Sequence, residues 1–169
     1  EAEKMTLAMA TDPRPNYLRL AREATPIITT EHTPFAIGKA SVFAQGQDIT
    51  IVSTGTMTYH ALAAAETLFR DGIDAEVIHM GTIKPLDAVT LLKSVHKTKH
   101  VITVEEAQIT GGLGGAVAEL LSEQFPVPLH RIGVRDTFGE SGTPKELLHK
   151  FGLTAKHIAM AAYTMLKEQ

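Results

Sequence analysis

A chain of 169 residues, 44% hydrophobic and 21% charged, is long enough for one sizeable core and has the composition of an ordinary globular domain. Its net charge of −3 argues against nucleic-acid binding as a main function, and no apolar run approaches a membrane span, so neither nucleic acid nor membrane is expected as a partner. The absence of cysteine excludes disulfides and thiolate chemistry and fits a cytoplasmic setting.

The chain begins at Glu1 with no initiator methionine and no signal peptide, so a fragment, a processed product or a subunit piece is expected. Residues 1–11 read as the end of a helix, which Asp12-Pro13-Arg14-Pro15 breaks. Tyr17 to Leu20 reads as a short strand leading to Arg22. Residues 25–34, rich in threonine and proline, read as an extended linker. Strands are expected at Lys39–Ala44, Asp48–Ser53 and Ala75–Met80, with a turn at Gly46. Between the last two lies a helix to about Arg70, with Ala61, Leu62, Ala65, Leu68 and Phe69 inward and Gly72 as its stop. Asp87 is a credible N-cap for the next helix, whose inner face is Ala88, Leu91, Leu92 and Val95.

The stretch His100–Leu121, HVITVEEAQITGGLGGAVAELL, organises the rest. Val101 to Val104 is a buried-strand run, Glu105 and Glu106 follow, a loop covers 107–110, and Gly111, Gly112, Gly114 and Gly115 open a helix. The glycines suit either an anion cradle at a helix N-terminus or close packing of helix on sheet. Neither the dinucleotide fingerprint nor the P-loop is matched, which favours packing. Glu105 and Glu106 suit acid–base work, a subunit interface or a cap. After a strand at Leu129–Val134, Thr143, Pro144 and Glu146 spell a capping box, and Thr154 opens a last helix with Ile158, Ala161, Ala162 and Met165 on one face. Strands alternating with helices imply βαβ units and a largely parallel sheet covered on both faces.

Single residues add little chemistry. The eight histidines form no ligand pair on a helix face and read as scattered surface or interface residues. Ser53 lacks a nucleophile elbow. Glu140-Ser141-Gly142 reads as a plain turn. Arg22 has the chemistry to clamp a phosphate bidentately, although by pattern alone a surface ion pair is the better reading.

Three stretches, VITVEEAQITGGLGGAVAELL, IHMGTIKPLD and RIGVRDTFGESGTPKELLHKFGLT, resemble the C-terminal region of transketolases, most closely the C-terminal subunit of split forms. The resemblance implies a three-layer α/β/α sandwich with a mostly parallel five-stranded sheet. Lys39–Ala44 would be its one antiparallel edge strand. It implies residues 1–24 as the end of the pyrimidine-binding domain, 25–38 as a linker and 39–169 as the C-terminal domain. The complete enzyme would use thiamine diphosphate and Mg2+ to move a two-carbon ketol unit between sugar phosphates. This chain would bind neither, would hold no catalytic or metal-ligating residue, and would act with the N-terminal subunit or domains, as a homodimer. Glu105 and Glu106 are not the family's activating glutamate. Arg22, in YLRLARE, matches the arginine that helps hold the sugar phosphate. The C-terminal domains of 1-deoxyxylulose-5-phosphate synthase and of 2-oxo-acid dehydrogenase β subunits share these features. A freestanding anion- or nucleotide-binding regulatory module, using the Gly111–Gly115 turn, is the alternative of another class.

Overall fold

The computed structural model describes residues 1–22 and 24–167. Glu23, Glu168 and Gln169, which the resemblance places in the first and last segments, lie outside the described residues. Helix α1 (Ala2–Ala10) comes first and buries no residue of its own. Residues 13–22 carry no strand, so the short strand expected at Tyr17–Leu20 does not form. Among the described residues nothing pairs with it, and Tyr17 and Leu20 stand exposed. A strand without a ladder leaves its backbone groups to water and gains nothing from being extended.

The remaining elements alternate as the periodicity demands. They are β1 (Ser41–Ala44), β2 (Ile49–Ser53), α2 (Met57–Arg70), β3 (Ala75–His79), α3 (Ala88–Thr98), β4 (Val101–Gln108), α4 (Leu113–Gln124), β5 (Leu129–Val134), α5 (Pro144–Lys150) and α6 (Ala155–Lys167). The sheet order is β1-β3-β2-β4-β5. Strand β1 runs antiparallel to β3 at one edge, and the other pairs are parallel. The expected antiparallel edge strand is therefore present.

The sheet has two apolar faces because its central strands are buried throughout. Ile49, Ile51, Val77, Ile102 and Val104 meet α2 and α6 through Met57, Ala61, Leu68, Ile158 and Ala162. Val52, Ile78 and Val101 meet α3 and α4 through Leu91, Val95, Leu113, Val117 and Leu121. Each fully buried Leu, Ile or Met contributes about 1.5–3 kcal/mol by leaving water. The result is the three-layer α/β/α sandwich.

One inward assignment fails. Phe69 is 71% exposed, because the buried stripe of α2 runs through Ala61, Ala64, Ala65 and Leu68 and leaves position 69 beyond its rim. The helix ends as expected, with Gly72 in the left-handed region at φ +81°. Asp87 caps α3 by accepting from the Thr90 amide at 3.1 Å. Thr143 and Glu146 form the reciprocal capping box of α5.

Candidate functional site

The strand order reverses between β2 and β4, since β2 leads to β3 on one side and β4 lies on the other. In open α/β sheets the crevice at the carboxyl ends of such strands is where ligands bind. Here that crevice contains Glu105 and Glu106, and the structure gives them different work.

Strand β4 runs on to Gln108, four residues past the expected end at Val104. Its register against β5 shifts between Val104 and Gln108, so four steps on β4 face two steps from Ile132 to Val134 on β5. This bulge breaks the alternation that marks a strand in sequence, and it re-aims the carboxylates. Gly133 makes room for it: a Cβ there would stand 2.9 Å from the Ala107 carbonyl oxygen.

Glu105 is 1% exposed and turns inward under α4. Its Oε2 accepts from the Leu113 amide and its Oε1 from the Gly114 amide, both at 2.8 Å. The position that a phosphate would take at this helix N-terminus is thus filled by the chain's own carboxylate. Gly112 follows from that contact and Gly114 from close packing on Thr103 and Arg131, whereas a Cβ at Gly111 or Gly115 would meet nothing within 4 Å. A Cβ on Gly112 would lie 1.9 Å from Glu105 Oε2, and one on Gly114 2.9 Å from Thr103 Oγ1. At Gly112 and Gly114 close packing is the reading realised, and Glu105 is a cap.

Glu106 faces the crevice. Its Oε2 accepts from the Thr56 hydroxyl, the N-cap of α2, at 2.7 Å. Its carbonyl oxygen accepts from Arg19 Nη2 at 2.8 Å, which ties the N-terminal segment to the carboxyl end of β4. Burial holds the nearby His60 imidazole below its ordinary value of 6.5, against the opposite pull of the Glu106 charge. Arg22 lies exposed on the same segment. Arg19 and Thr56 were missed by sequence reading. YLRLARE holds two arginines three apart, and local pattern does not say which of them meets Glu106.

A second polar cluster sits at the end of β3. His79 is 3% exposed, so of the surface or interface positions expected for the histidines it does not take a surface one. Its Nδ1 lies 2.7 Å from Thr58 Oγ1, its Nε2 lies 2.6 Å from Glu1 Oε1, and Phe43 stacks on its ring. Lys4 donates to the carbonyls of Thr30, Glu31 and Thr33, so α1 and residues 30–33 are held together beside this histidine.

His60 and the half-buried His130 share one consequence. Burial, and then the Arg135 charge, also holds His130 below 6.5. The unfolded chain therefore takes up protons near 6.5 before the folded one does. Stability from these groups is complete above that value and is lost as pH falls below it. We expect the urea midpoint to fall between about pH 7.5 and about pH 5.5, and His60→Gln with His130→Gln to flatten that slope. An unchanged slope in the double variant would assign the effect to other groups.

A family model described as Transketolase, C-terminal domain, matches residues 38–158. The chain belongs to the transketolase C-terminal domain family. It is 48% identical over 155 residues to 6-deoxy-6-sulfo-D-fructose transketolase subunit SqwH of Clostridium sp., covering 92% of this chain and 48% of that protein. It is 42% identical over 158 residues to a putative transketolase C-terminal section of Methanocaldococcus jannaschii, covering 92% and 49% of the two. Among solved structures it superposes on a split gene transketolase described as an inactive beta4 tetramer. That match has a TM-score of 0.83 and 44% identity, over 86% of this chain and 48% of the other. The chain spans about half the length of these relatives.

Transketolase family membership implies thiamine diphosphate in the complete enzyme. Side chains of Asp87, Glu105 and Thr143 close the N-termini of α3, α4 and α5. No group of three or more His, Cys, Asp or Glu among the described residues is placed to hold a metal ion. No helix among the described residues is long and apolar enough to cross a membrane.

Proposed function

We propose that this chain is the C-terminal part of a thiamine-diphosphate-dependent transketolase that moves a two-carbon ketol unit between anionic sugars. The cofactor would supply the carbanion chemistry, bound with Mg2+ by the N-terminal subunit or domains. This chain would complete the assembly and self-associate in the cytoplasm, with no step of the transfer running through its own groups. Residues 1–24 would belong to the end of the pyrimidine-binding domain, 25–38 to a linker and 39–169 to the C-terminal domain. The observation that carries the reading is the half-length match to relatives named as a transketolase subunit and a transketolase C-terminal section. The exposed Tyr17, Leu20 and Ile27 support a covering partner for the N-terminal segment.

The test is an assay with and without the N-terminal partner, in the presence of thiamine diphosphate and Mg2+. Alone, this chain is expected to show no ketol transfer and no cofactor heat in calorimetry. With the partner, transfer should appear from xylulose 5-phosphate or 6-deoxy-6-sulfo-D-fructose to an aldose phosphate. The sulfonated sugar is included because one relative is named for it. Turnover of pyruvate with glyceraldehyde 3-phosphate instead would make the parent a deoxyxylulose phosphate synthase.

Arg22 is proposed to hold the anionic end of the substrate in the assembled enzyme. A guanidinium pairs with phosphate and sulfonate alike through charge-assisted hydrogen bonds, each contributing about 1.5–3 kcal/mol. Arg22→Ala should therefore lower kcat/KM for phosphorylated donors by about tenfold or more, and leave unphosphorylated analogues little changed. Equal losses for both would make the arginine structural.

A further inference from the structure

Strands β3 and β4 both run parallel to β2 and flank it, so their carboxyl ends lie on one side of the sheet. The N-terminal segment is pinned to both. At the end of β3, His79 Nε2 lies 2.6 Å from Glu1 Oε1. At the end of β4, Arg19 Nη2 donates to the Glu106 carbonyl oxygen at 2.8 Å. Residues 1–19 are thus fixed at their two ends on either side of β2, beside the point where the strand order reverses. Arg22 follows Arg19 by three residues.

The first of these contacts is built into the core. His79 is buried and Phe43 stacks on its ring. Ser53 donates to Thr58 Oγ1 at 3.0 Å, which leaves the Thr58 proton for His79 Nδ1 at 2.7 Å and an Nε2–H for the Glu1 carboxylate. A buried chain of donors that ends on one N–H requires an acceptor there, because a buried donor without a partner is costly. Gly81 keeps the space open: a Cβ there would stand 2.8 Å from Glu1 Oε1 and 3.1 Å from Met5 Cε. Helix α1 buries no residue of its own, so the polar contacts of Glu1 and Lys4 count for more than apolar packing in setting where it lies. At the other contact, the Glu106 carboxylate takes the Thr56 hydroxyl, so the carbonyl that receives Arg19 belongs to a residue that is itself held in place.

We propose that His79 and Arg19 are positioning residues for the sugar transfer: together they hold the N-terminal segment on the sheet and so set where Arg22 stands. The inference rests on the reading of Arg22 as the residue that takes the anionic end of the substrate, and it names what places that residue. Three residues of chain reach at most about 11 Å, so fixing Arg19 confines the Arg22 backbone to that distance from it. A guanidinium fork meets an anion bidentately only from a narrow set of directions. A loosened segment would therefore weaken substrate binding with Arg22 itself intact.

The test uses the full chain in complex with its N-terminal partner, and substitutions on the segment that leave the sheet intact. Arg19→Ala should raise KM for xylulose 5-phosphate by about three- to tenfold and hold kcat within about twofold, with xylulose little changed. Arg19→Lys keeps a charged donor and should restore part of the loss. Glu1→Ala removes the acceptor from His79 and should raise the same KM, while exchange of the α1 amides quickens several-fold. In an Arg22→Ala background neither change should add to the loss, because groups that act through one another are not additive. Full additivity, or equal losses for xylulose 5-phosphate and xylulose, overturns the positioning role. If Arg22→Ala discriminates between the two donors while Arg19→Ala and Glu1→Ala leave KM unchanged, this proposal falls and the reading of Arg22 stands. If Arg22→Ala costs both donors equally, that reading falls and this one with it.

Discussion

Replacing Glu105 by alanine should lower the stability of this domain by about 3 kcal/mol, a loss far out of line with an ordinary strand-end glutamate. Its two carboxylate oxygens satisfy two amides, Leu113 and Gly114, at a helix start that is buried against the sheet. A hydrogen bond to a charged group contributes about 1.5–3 kcal/mol, and here no water replaces the lost acceptor without entering the core. The melting temperature should fall by about 6–12 °C for a domain of this size. Glu106→Ala is the internal comparison. Its carboxylate is exposed and accepts from a single hydroxyl, so its loss should cost under about 1 kcal/mol. Thermal and urea unfolding of the two variants decides the matter. Equal effects would mean that the cap at α4 is not an energetic feature of the fold.

A comparable loss, about 3 kcal/mol, is expected for Gly46→Ala, from steric conflict rather than from lost polar contacts. The turn between β1 and β2 presses on the start of β3. An added Cβ would stand 2.3 Å from both Ala75 C and Glu76 N, and 2.6 Å from the Asp74 carbonyl oxygen. These are backbone atoms of a central strand, so no side chain can swing aside. The same Asp74 carbonyl accepts from the Gln47 and Asp48 amides at 2.9 Å, and moving the turn would break those bonds too. Gly115→Ala provides the contrast. Its Cβ meets nothing within 4 Å, and alanine is the better helix former, so that variant should gain about 0.5–1 kcal/mol. If the two substitutions shifted the urea midpoint alike, close packing would not explain Gly46.

The filled helix start also bears on the regulatory-module alternative. A nucleotide phosphate arriving at α4 would have to displace Glu105 from two short hydrogen bonds and bury its own charge beside that carboxylate. That cost weighs against the Gly111–Gly115 turn as an anion cradle.

The sequence by itself determined the architecture, because the forces that set it are local and periodic. Buried runs such as Ile49–Ser53 and Ala75–His79 alternate with stripes at helical spacing, which leaves few arrangements besides a covered parallel sheet. Asp87 and the Thr143–Glu146 pair were legible as caps, since cap chemistry is written within four residues. The β-strand wrongly expected at Tyr17–Leu20 shows the limit of that logic: a ladder needs a neighbour, and local pattern does not say whether one exists. Only the tertiary structure decided what Glu105 and Glu106 do. A bulge that lengthens β4 turns one carboxylate into the core and the other toward Thr56, and its room depends on Gly133, distant in sequence. Arg19 reaches Glu106 across 87 positions, and His79 meets Glu1 across 78. Contacts of that span are set by where the packed core places each strand end, and no local preference records them.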